Sequence, residues 1–380
     1  MRHGPAVSTT ADVAIAGGGI VGAACAAECA ASGLKVTVVE PGPIGGGATA
    51  AGMGHLVVMD DSPAQIALTN YSRTLWMNLA PSLPPDVEYV AAGTVWVAAD
   101  DEEMAEVHRK RAVYESIRVR AEALDARQLA EAEPHLRSGL AGGLLVPDDA
   151  VIYPPCAARY LLECAQSHGA TLLRQPGAAS LSGEGIRLRN GVQISAGIVV
   201  NATGSWAPEL TPGLAIRPRK GHLVITDRYP GWVRHQLVEL GYLKSAHSIS
   251  TDSVAFNVQP RKTGQLLIGS SRQYGATHPA IDPHMLHRML GRAQEYMPGL
   301  ADLAAIRCWT GFRAATPDKL PLIGPTPADP RLYLATGHEG LGITTSLATG
   351  RLVADQILGR ASAIPVEPYL PGRSQEAHHE

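Results

Sequence analysis

Six residues near the start of the chain, Gly17-Gly18-Gly19-Ile20-Val21-Gly22, stand between an apolar run at 13–16 and a small-residue segment with helical character. Gly17, Gly19 and Gly22 form the G-x-G-x-x-G spacing, and Ala26 continues it on the helix face turned toward the strand. Each glycine has a physical reason. Gly17 permits the tight turn, Gly19 lets backbone approach a pyrophosphate, and Gly22 lets helix and strand pack closely. The helix N-terminus adds unpaired N–H groups and a partial positive charge beneath the phosphates. A second buried-strand run, Val36-Thr37-Val38-Val39, ends in Glu40, 18 residues beyond Gly22, where a carboxylate can accept hydrogen bonds from a ribose. Strand, glycine turn, helix, strand and acid in this order read as a dinucleotide-binding α/β unit.

The remaining length has to be accommodated around that unit. A chain of 380 residues suits two intimately joined domains. The net charge of −3, from 32 basic and 35 acidic residues with no basic block interleaved with aromatics, argues against nucleic acid as a partner. The five cysteines (Cys25, Cys29, Cys156, Cys164 and Cys308) include no C-x-x-C pair, so neither an iron–sulfur centre nor another metal site is expected. Cys25 and Cys29, one turn apart on the first helix, read as core thiols, and the scatter of all five favours a reducing compartment. The apolar stretch at 13–27 is too short to cross a bilayer and is followed by Glu28 and Lys35. The expectation is a soluble, cytoplasmic protein without an integral membrane segment.

Residues 1–11 read as a flexible lead-in. After Glu40 runs a long stretch of small residues at 41–52, including Ala48, Thr49, Ala50, Ala51 and Gly52. Such a stretch lets backbone lie against a flat ligand and gives Thr49 a phosphate to hydrogen-bond. Helices are expected over 62–80 and 101–133, with a strand–turn–strand at 89–98 between them. A further helix of about thirteen residues follows Tyr153-Pro154-Pro155. The apolar run at 196–201 ends in Ala202-Thr203-Gly204, a second close-approach turn that returns the chain to the ligand. Segments 217–226, 253–260 and 265–270 read as strands of an antiparallel sheet, and 283–297 as a helix. Near the C-terminus, Leu332-Tyr333-Leu334-Ala335-Thr336-Gly337-His338-Glu339-Gly340-Leu341-Gly342-Ile343 gives a strand, a glycine turn and a helix start.

Four ordered blocks together resemble a known family. They are the G-x-G-x-x-G unit with the Gly47-Ala48-Thr49-Ala50-Ala51-Gly52 loop; Val200-Asn201-Ala202-Thr203-Gly204; Gly311-Phe312-Arg313 through Pro317-Asp318 to Pro321-Leu322-Ile323-Gly324; and Gly337-His338 with Gly340 and Gly342. Over roughly residues 12–360 the chain resembles the glycine oxidase/D-amino acid dehydrogenase (DAO) group of FAD-dependent oxidoreductases. Within it, Arg217-Pro218-Arg219-Lys220-Gly221-His222 and the segment 259–271 resemble the β-type flavoprotein subunits of dehydrogenases acting on D-hydroxyproline, opines or glycine, the last being hydrogen cyanide synthase-like.

The resemblance implies an α/β (α+β overall) architecture, a Rossmann-like FAD-binding domain interleaved with an antiparallel-sheet substrate domain. The expected division gives 12–80, 140–215 and 305–362 to the FAD-binding domain and 81–139 and 216–304 to the substrate domain, with 363–380 as a tail. FAD is expected against Gly17, Gly18, Gly19, Ile20, Val21, Gly22, Glu40, Ala48, Thr49, Ala50, Ala51, Gly52, Ala202, Gly204, Gly337, Gly340, Leu341, Gly342 and Ile343. It is expected to be held noncovalently. The family reaction oxidises an amine carbon beside a carboxylate to an imine, which calls for an anion anchor and alignment over the ring rather than a metal. Arg313 stands at the family's carboxylate-binding arginine, and guanidinium suits that task. His338 either contacts flavin or substrate or hydrogen-bonds behind them. His55 either faces the isoalloxazine or is a satisfied structural histidine. Tyr242, Arg272 and Tyr274 are further pocket candidates.

The implied function is dehydrogenation of a D-amino or cyclic imino acid, with cis-4-hydroxy-D-proline or D-proline as the expected substrate, by the flavoprotein subunit of a multi-subunit enzyme. A companion flavin or iron–sulfur subunit would then take the electrons. A free-standing glycine- or sarcosine-type oxidase using oxygen, an opine oxidase or hydrogen cyanide synthase subunit, and a flavin-bearing relay subunit stay open beside it.

Overall fold

The computed structural model describes residues 9–174, 176–241 and 252–373; Tyr242 lies outside them. Two eight-stranded sheets carry the architecture. In the first, Thr9–Ala16 is central and pairs in parallel with Val36–Val39 on one side and Gln193–Asn201 on the other. Parallel pairing continues outward to Thr171–Leu173 and to Leu332–Thr336, and Leu322–Pro325 closes that edge antiparallel. The hairpin Ala178–Ser182/Gly185–Leu188 adds to the end of Gln193–Asn201. Val36–Val39 is buried at all four positions, as a parallel strand covered on both faces must be.

Three helices pack over one face of this sheet. Ile20–Ala31 is built of Ala, Gly and Cys, and it lies against Pro154–Ser167 and Gly342–Ile357. The approach is close enough that a Cβ on Gly350 would come 2.6 Å from the Ala24 carbonyl oxygen. Cys25 and Cys29 are fully buried there as free thiols, and burial pushes the Cys29 pKa up to about 12. They are core residues, as the sequence suggested.

The second sheet runs in the order Ala305–Ala315, Arg217–Arg228, Gln265–Arg272, Ser253–Pro260, Gln236–Glu239, Thr94–Ala98, Gly142–Val146, Glu122–Asp125. It is antiparallel except where Gln236–Glu239 meets Thr94–Ala98. Helix Pro283–Tyr296 covers one face through Met285, Met289, Ala293 and Tyr296, with Tyr296 stacked on Phe256 at 4.5 Å. Strands Gly142–Val146 and Ala305–Ala315 pair into this second sheet, although the sequence reading groups 140–215 and 305–362 with the first. Strand membership is fixed by hydrogen-bond partners distant in sequence, which local pattern does not report.

The single helix expected over 101–133 is two helices separated by an edge strand. Asp101–Ser116 stops where Arg118 takes a left-handed conformation (φ 61°) and the Val119 N–H returns to the Tyr114 carbonyl. Glu122–Asp125 then pairs with the second sheet, and Asp125 restarts a helix at Ala126 through a reciprocal capping box with Gln128. The charged composition hid the break. In the 89–98 segment only Thr94–Ala98 is a strand, with Val90 bridged singly to Val151.

Candidate active site

A cavity of about 650 Å³ runs between the carboxyl ends of the first sheet's parallel strands and the near strands of the second sheet. Its lining includes Ala16, Gly17, Gly19, Ile20, Val21 and Glu40 from the first sheet's glycine turn and strand end, and Gly221, Gly311, Arg313, His338 and Glu339 from the second sheet and the Gly337–Gly340 turn. Of the residues expected to hold FAD, Ala48, Thr49, Ala51, Gly52, Ala202, Gly204, Gly337, Gly340, Gly342 and Ile343 also line it. Gly18, Gly22, Ala50 and Leu341 do not. Gly18 and Gly22 act one step behind the wall, through the contacts described next.

Gly17 has φ +107°, and a Cβ there would sit 2.6 Å from the Ala202 carbonyl oxygen. A Cβ on Gly22 would lie 2.0 Å from the Gly17 carbonyl oxygen, so turn, helix and the 193–201 strand interlock only as glycine. Glu40 accepts the Gly18 N–H at Oε2 and the Gly42 N–H at Oε1, each at 2.8 Å, which locks its carboxylate at the strand end. Each oxygen keeps a further lone pair for a hydroxyl. Helix Ile20–Ala31 has no side-chain cap at Gly19, and Thr49 Oγ1 accepts only the Ile20 N–H at 3.1 Å. The uncapped first turn, opening on the cavity, suits an anionic diphosphate. Trp206, half exposed at the rim, lies against Gly47.

Arg313 lines the cavity, with two further arginines, Arg219 and Arg272, packed near it outside the lining. Arg313 donates from Nη1 to the Ser271 carbonyl at 3.0 Å, and its guanidinium rests over Gly221, where a Cβ would come within 2.4 Å of Nη1. Burial and the neighbouring Arg219 push the Arg313 pKa down to about 9, so it stays charged at neutral pH. Arg219 is directly opposite on the next strand, donates to the Tyr274 hydroxyl at 3.0 Å and is ion-paired with Glu339. Arg272, on the strand at the other side of Arg217–Arg228, is held below its ordinary value by burial first and by Arg219 and Arg313 next. Arg219 and Glu339 were not singled out by sequence. Arg219 becomes visible only through the cross-strand register, and Glu339 through its left-handed backbone (φ 53°) in the Gly337–Gly340 turn.

Both histidines line the cavity. His338 is 7% exposed, and its Nε2 lies 2.9 Å from Thr349 Oγ1. The Thr349 hydroxyl donates its one proton to the Thr345 carbonyl (2.9 Å), so it can only accept from His338. The proton is therefore on Nε2 and Nδ1 is the bare acceptor. Burial pushes His338 down to about 3. His55 begins a short strand paired to Val151, and its carbonyl accepts from the Thr344 hydroxyl at 2.8 Å. Burial drives it down to about 4, with Gln259 acting in the opposite direction, and its Nε2 has no hydrogen-bond partner. Tyr274 stands beside Arg219, away from the cavity wall. Among the described residues there is no cluster of His, Cys, Asp and Glu able to hold a metal ion, and no helix is long and apolar enough to cross a membrane.

This chain is similar along nearly its whole length to flavoenzymes. It is 29% identical over 376 residues to glycine oxidase of Geobacillus kaustophilus, covering 94% of this chain and 96% of that one. It is 27% identical to the hydrogen cyanide synthase subunit HcnC of Pseudomonas aeruginosa, covering 97% of each. The solved glycine oxidase structure from G. kaustophilus superposes with a TM-score of 0.85 at 28% identity, covering 96% of this chain and 99% of that one. L-proline dehydrogenase from P. horikoshii gives the same TM-score at 26% identity, covering 98% of this chain and 100% of that one. The model of the family DAO, FAD dependent oxidoreductase, matches residues 12–356, which takes in the whole cavity lining, and the chain belongs to that family.

Proposed function

We propose that the chain removes two electrons and a proton from the carbon between the amine and the carboxylate of a small amino or cyclic imino acid. Arg313 is the observation that carries this reading: a charged guanidinium lining the cavity beside Gly340. One Nη1 proton is engaged by Ser271, which orients the fork and leaves its other donors for a carboxylate. FAD, held by the glycine turn, Glu40, the 48–52 loop and the start of helix Gly342–Ile357, supplies the two-electron acceptor. The uncapped N-terminus of that helix favours negative charge at the acceptor.

His55 and His338 are neutral at physiological pH, and values of about 4 and 3 make them poor proton acceptors there. Their part is to fill and orient: His338 offers a bare Nδ1, and His55 closes the wall beside Thr344. The amine therefore enters already deprotonated or loses its proton to solvent. The product is the iminium ion, which gives the imine on losing its N–H proton to solvent.

D-Proline and cis-4-hydroxy-D-proline head the substrate panel, with glycine and sarcosine beside them because of the similarity to glycine oxidases. Similarity to a hydrogen cyanide synthase subunit supports a companion subunit as the electron acceptor. The test is anaerobic: each amine is added to the flavin-loaded protein and the loss of flavin absorbance is followed. Bleaching by an amino or imino acid supports the reading, and rapid peroxide formation in air would make oxygen the acceptor. Bound flavin that no amine bleaches would overturn it in favour of a relay subunit.

A further inference from the structure

Beside Arg313 the cavity wall carries a carboxylate, that of Glu339. Its backbone is tied to the Arg313 strand: the Glu339 N–H donates to the Ala314 carbonyl at 3.0 Å, in an antiparallel bridge. The next residue, Gly340, is close enough that a Cβ there would lie 3.6 Å from Arg313 Nε. The Glu339 carboxylate pairs with Arg219, the cross-strand partner of Arg313, and so leaves Arg313 to a ligand. Glu339 Oε2 is buried without a hydrogen-bond partner, and the side chain as a whole is 11% exposed. A carboxylate oxygen in that state lacks a donor. The backbone points the same way. Glu339 holds a left-handed conformation (φ 53°) in the Gly337–Gly340 turn, where glycine would adopt it without strain.

An acid and a guanidinium side by side in one cavity wall match a zwitterion. We infer that Glu339 receives the substrate's ammonium group and takes one proton from it, while Arg313 holds the carboxylate. Charges then alternate from Arg219 through Glu339, the ammonium group and the carboxylate to Arg313. The titratable groups around Glu339 are Arg219 and Arg313, Arg272 beyond them with Asp61 acting on it, the Tyr274 hydroxyl on Arg219, and the neutral His338 next in the chain. The cations among them favour the ionised acid. In the step itself an N–H bond of the ammonium group breaks, leaving its electron pair on nitrogen and a neutral Glu339 carboxylic acid. The carbon–hydrogen bond then breaks with both electrons passing to FAD, the iminium ion forms, and Glu339 releases its proton to solvent. This rests on the proposed amine dehydrogenation and gives the amine proton its path out.

Two measurements on the flavin-loaded protein test it. The first compares sarcosine with methoxyacetate, which keeps the carboxylate and has an ether oxygen in place of the ammonium group. Affinity is read anaerobically at pH 7 from perturbation of the flavin spectrum. Sarcosine should bind at least about tenfold more tightly. In Glu339→Gln the ratio should fall to within about threefold of one; the loss of the Arg219 partner acts on both ligands alike and cancels from it. The second measurement follows the second-order rate of anaerobic bleaching by whichever amine bleaches. In wild type this rate should stay level as pH falls below the pKa of the free amine, because Glu339 keeps the proton. In Glu339→Gln it should fall about tenfold per pH unit, because only the free amine reacts. Sarcosine binding no more tightly than the ether, or a wild-type rate that already falls about tenfold per unit, overturns the inference. Neither of those results needs the variant to fold. If no amine bleaches the flavin, the proposed function falls, while the binding ratio still decides whether Glu339 receives an ammonium group.

Discussion

Arg219 and Arg313 face each other across adjacent antiparallel strands, two like charges on one face with Glu339 paired to only the first. Such a pair opposes folding by up to about 1 kcal/mol, a repulsion that a carboxylate bound on Arg313 would relieve. Arg313→Met removes the repulsion while keeping much of the side-chain volume. Its thermal midpoint should be at or above wild type while KM for the bleaching substrate rises at least about tenfold, the loss expected for a charge-assisted hydrogen-bond anchor. Unchanged KM would take Arg313 out of the site.

The depressed Arg313 pKa gives substrate-site binding a definite pH dependence. A bound carboxylate stabilises the charged guanidinium, so affinity is fully present below about 9 and is lost as pH rises through it. Acetate, which has no amine to titrate, should show a dissociation constant flat from pH 6 to 8 that weakens up to about tenfold per unit above 9. Titration of the flavin spectrum measures it, and a flat curve to pH 10.5 would contradict it.

Much of the glycine-turn part of the cavity was readable because its geometry is local. Gly17, Gly19, Gly22 and Glu40 sit within one strand–helix–strand unit, and short-range sterics dictate both their identity and their spacing. Substrate-side geometry arises otherwise. Arg313 was found through resemblance, while Arg219 gained meaning only from a pairing of strands about ninety residues apart. The break at Arg118 was hidden because helix and edge strand are both rich in charge, and a left-handed residue that is not glycine leaves no compositional mark.

Gly22→Ala should yield protein without bound flavin. The new methyl would lie 2.0 Å from a backbone oxygen, where no side chain can move aside. The ratio of visible flavin to protein absorbance after purification should fall at least about tenfold. Gly291→Ala is the control: it lies in helix Pro283–Tyr296 with nothing within 4 Å, and should keep its flavin and gain about 0.5–1 kcal/mol of stability.

Gly221→Ala makes the opposite kind of clash. The three nearest atoms to its methyl would all belong to the Arg313 guanidinium, the far end of a flexible side chain, which can shift. Flavin content should therefore match wild type while KM rises about tenfold, since a small misplacement of the anchor is costly. Loss of flavin instead would mean that the strand carrying Gly221 supports the cofactor.

His55 and His338 also set how stability responds to acid. Both have folded-state pKa values, about 4 and about 3, far below the 6.5 of an exposed imidazole. Between those values the unfolded chain binds the extra protons, so stability rises with pH up to about 6.5 and is level above it. Lowering the pH from 7 to 5 should remove about 2 kcal/mol for each histidine. His55→Gln cannot be protonated and leaves the fold's other acid-sensitive groups in place. The fall in thermal midpoint between pH 7 and 5 should accordingly be smaller in His55→Gln than in wild type by a few degrees. An identical fall in the two proteins would show that His55 is charged or solvated in the folded state, and would remove it from the dry wall of the cavity.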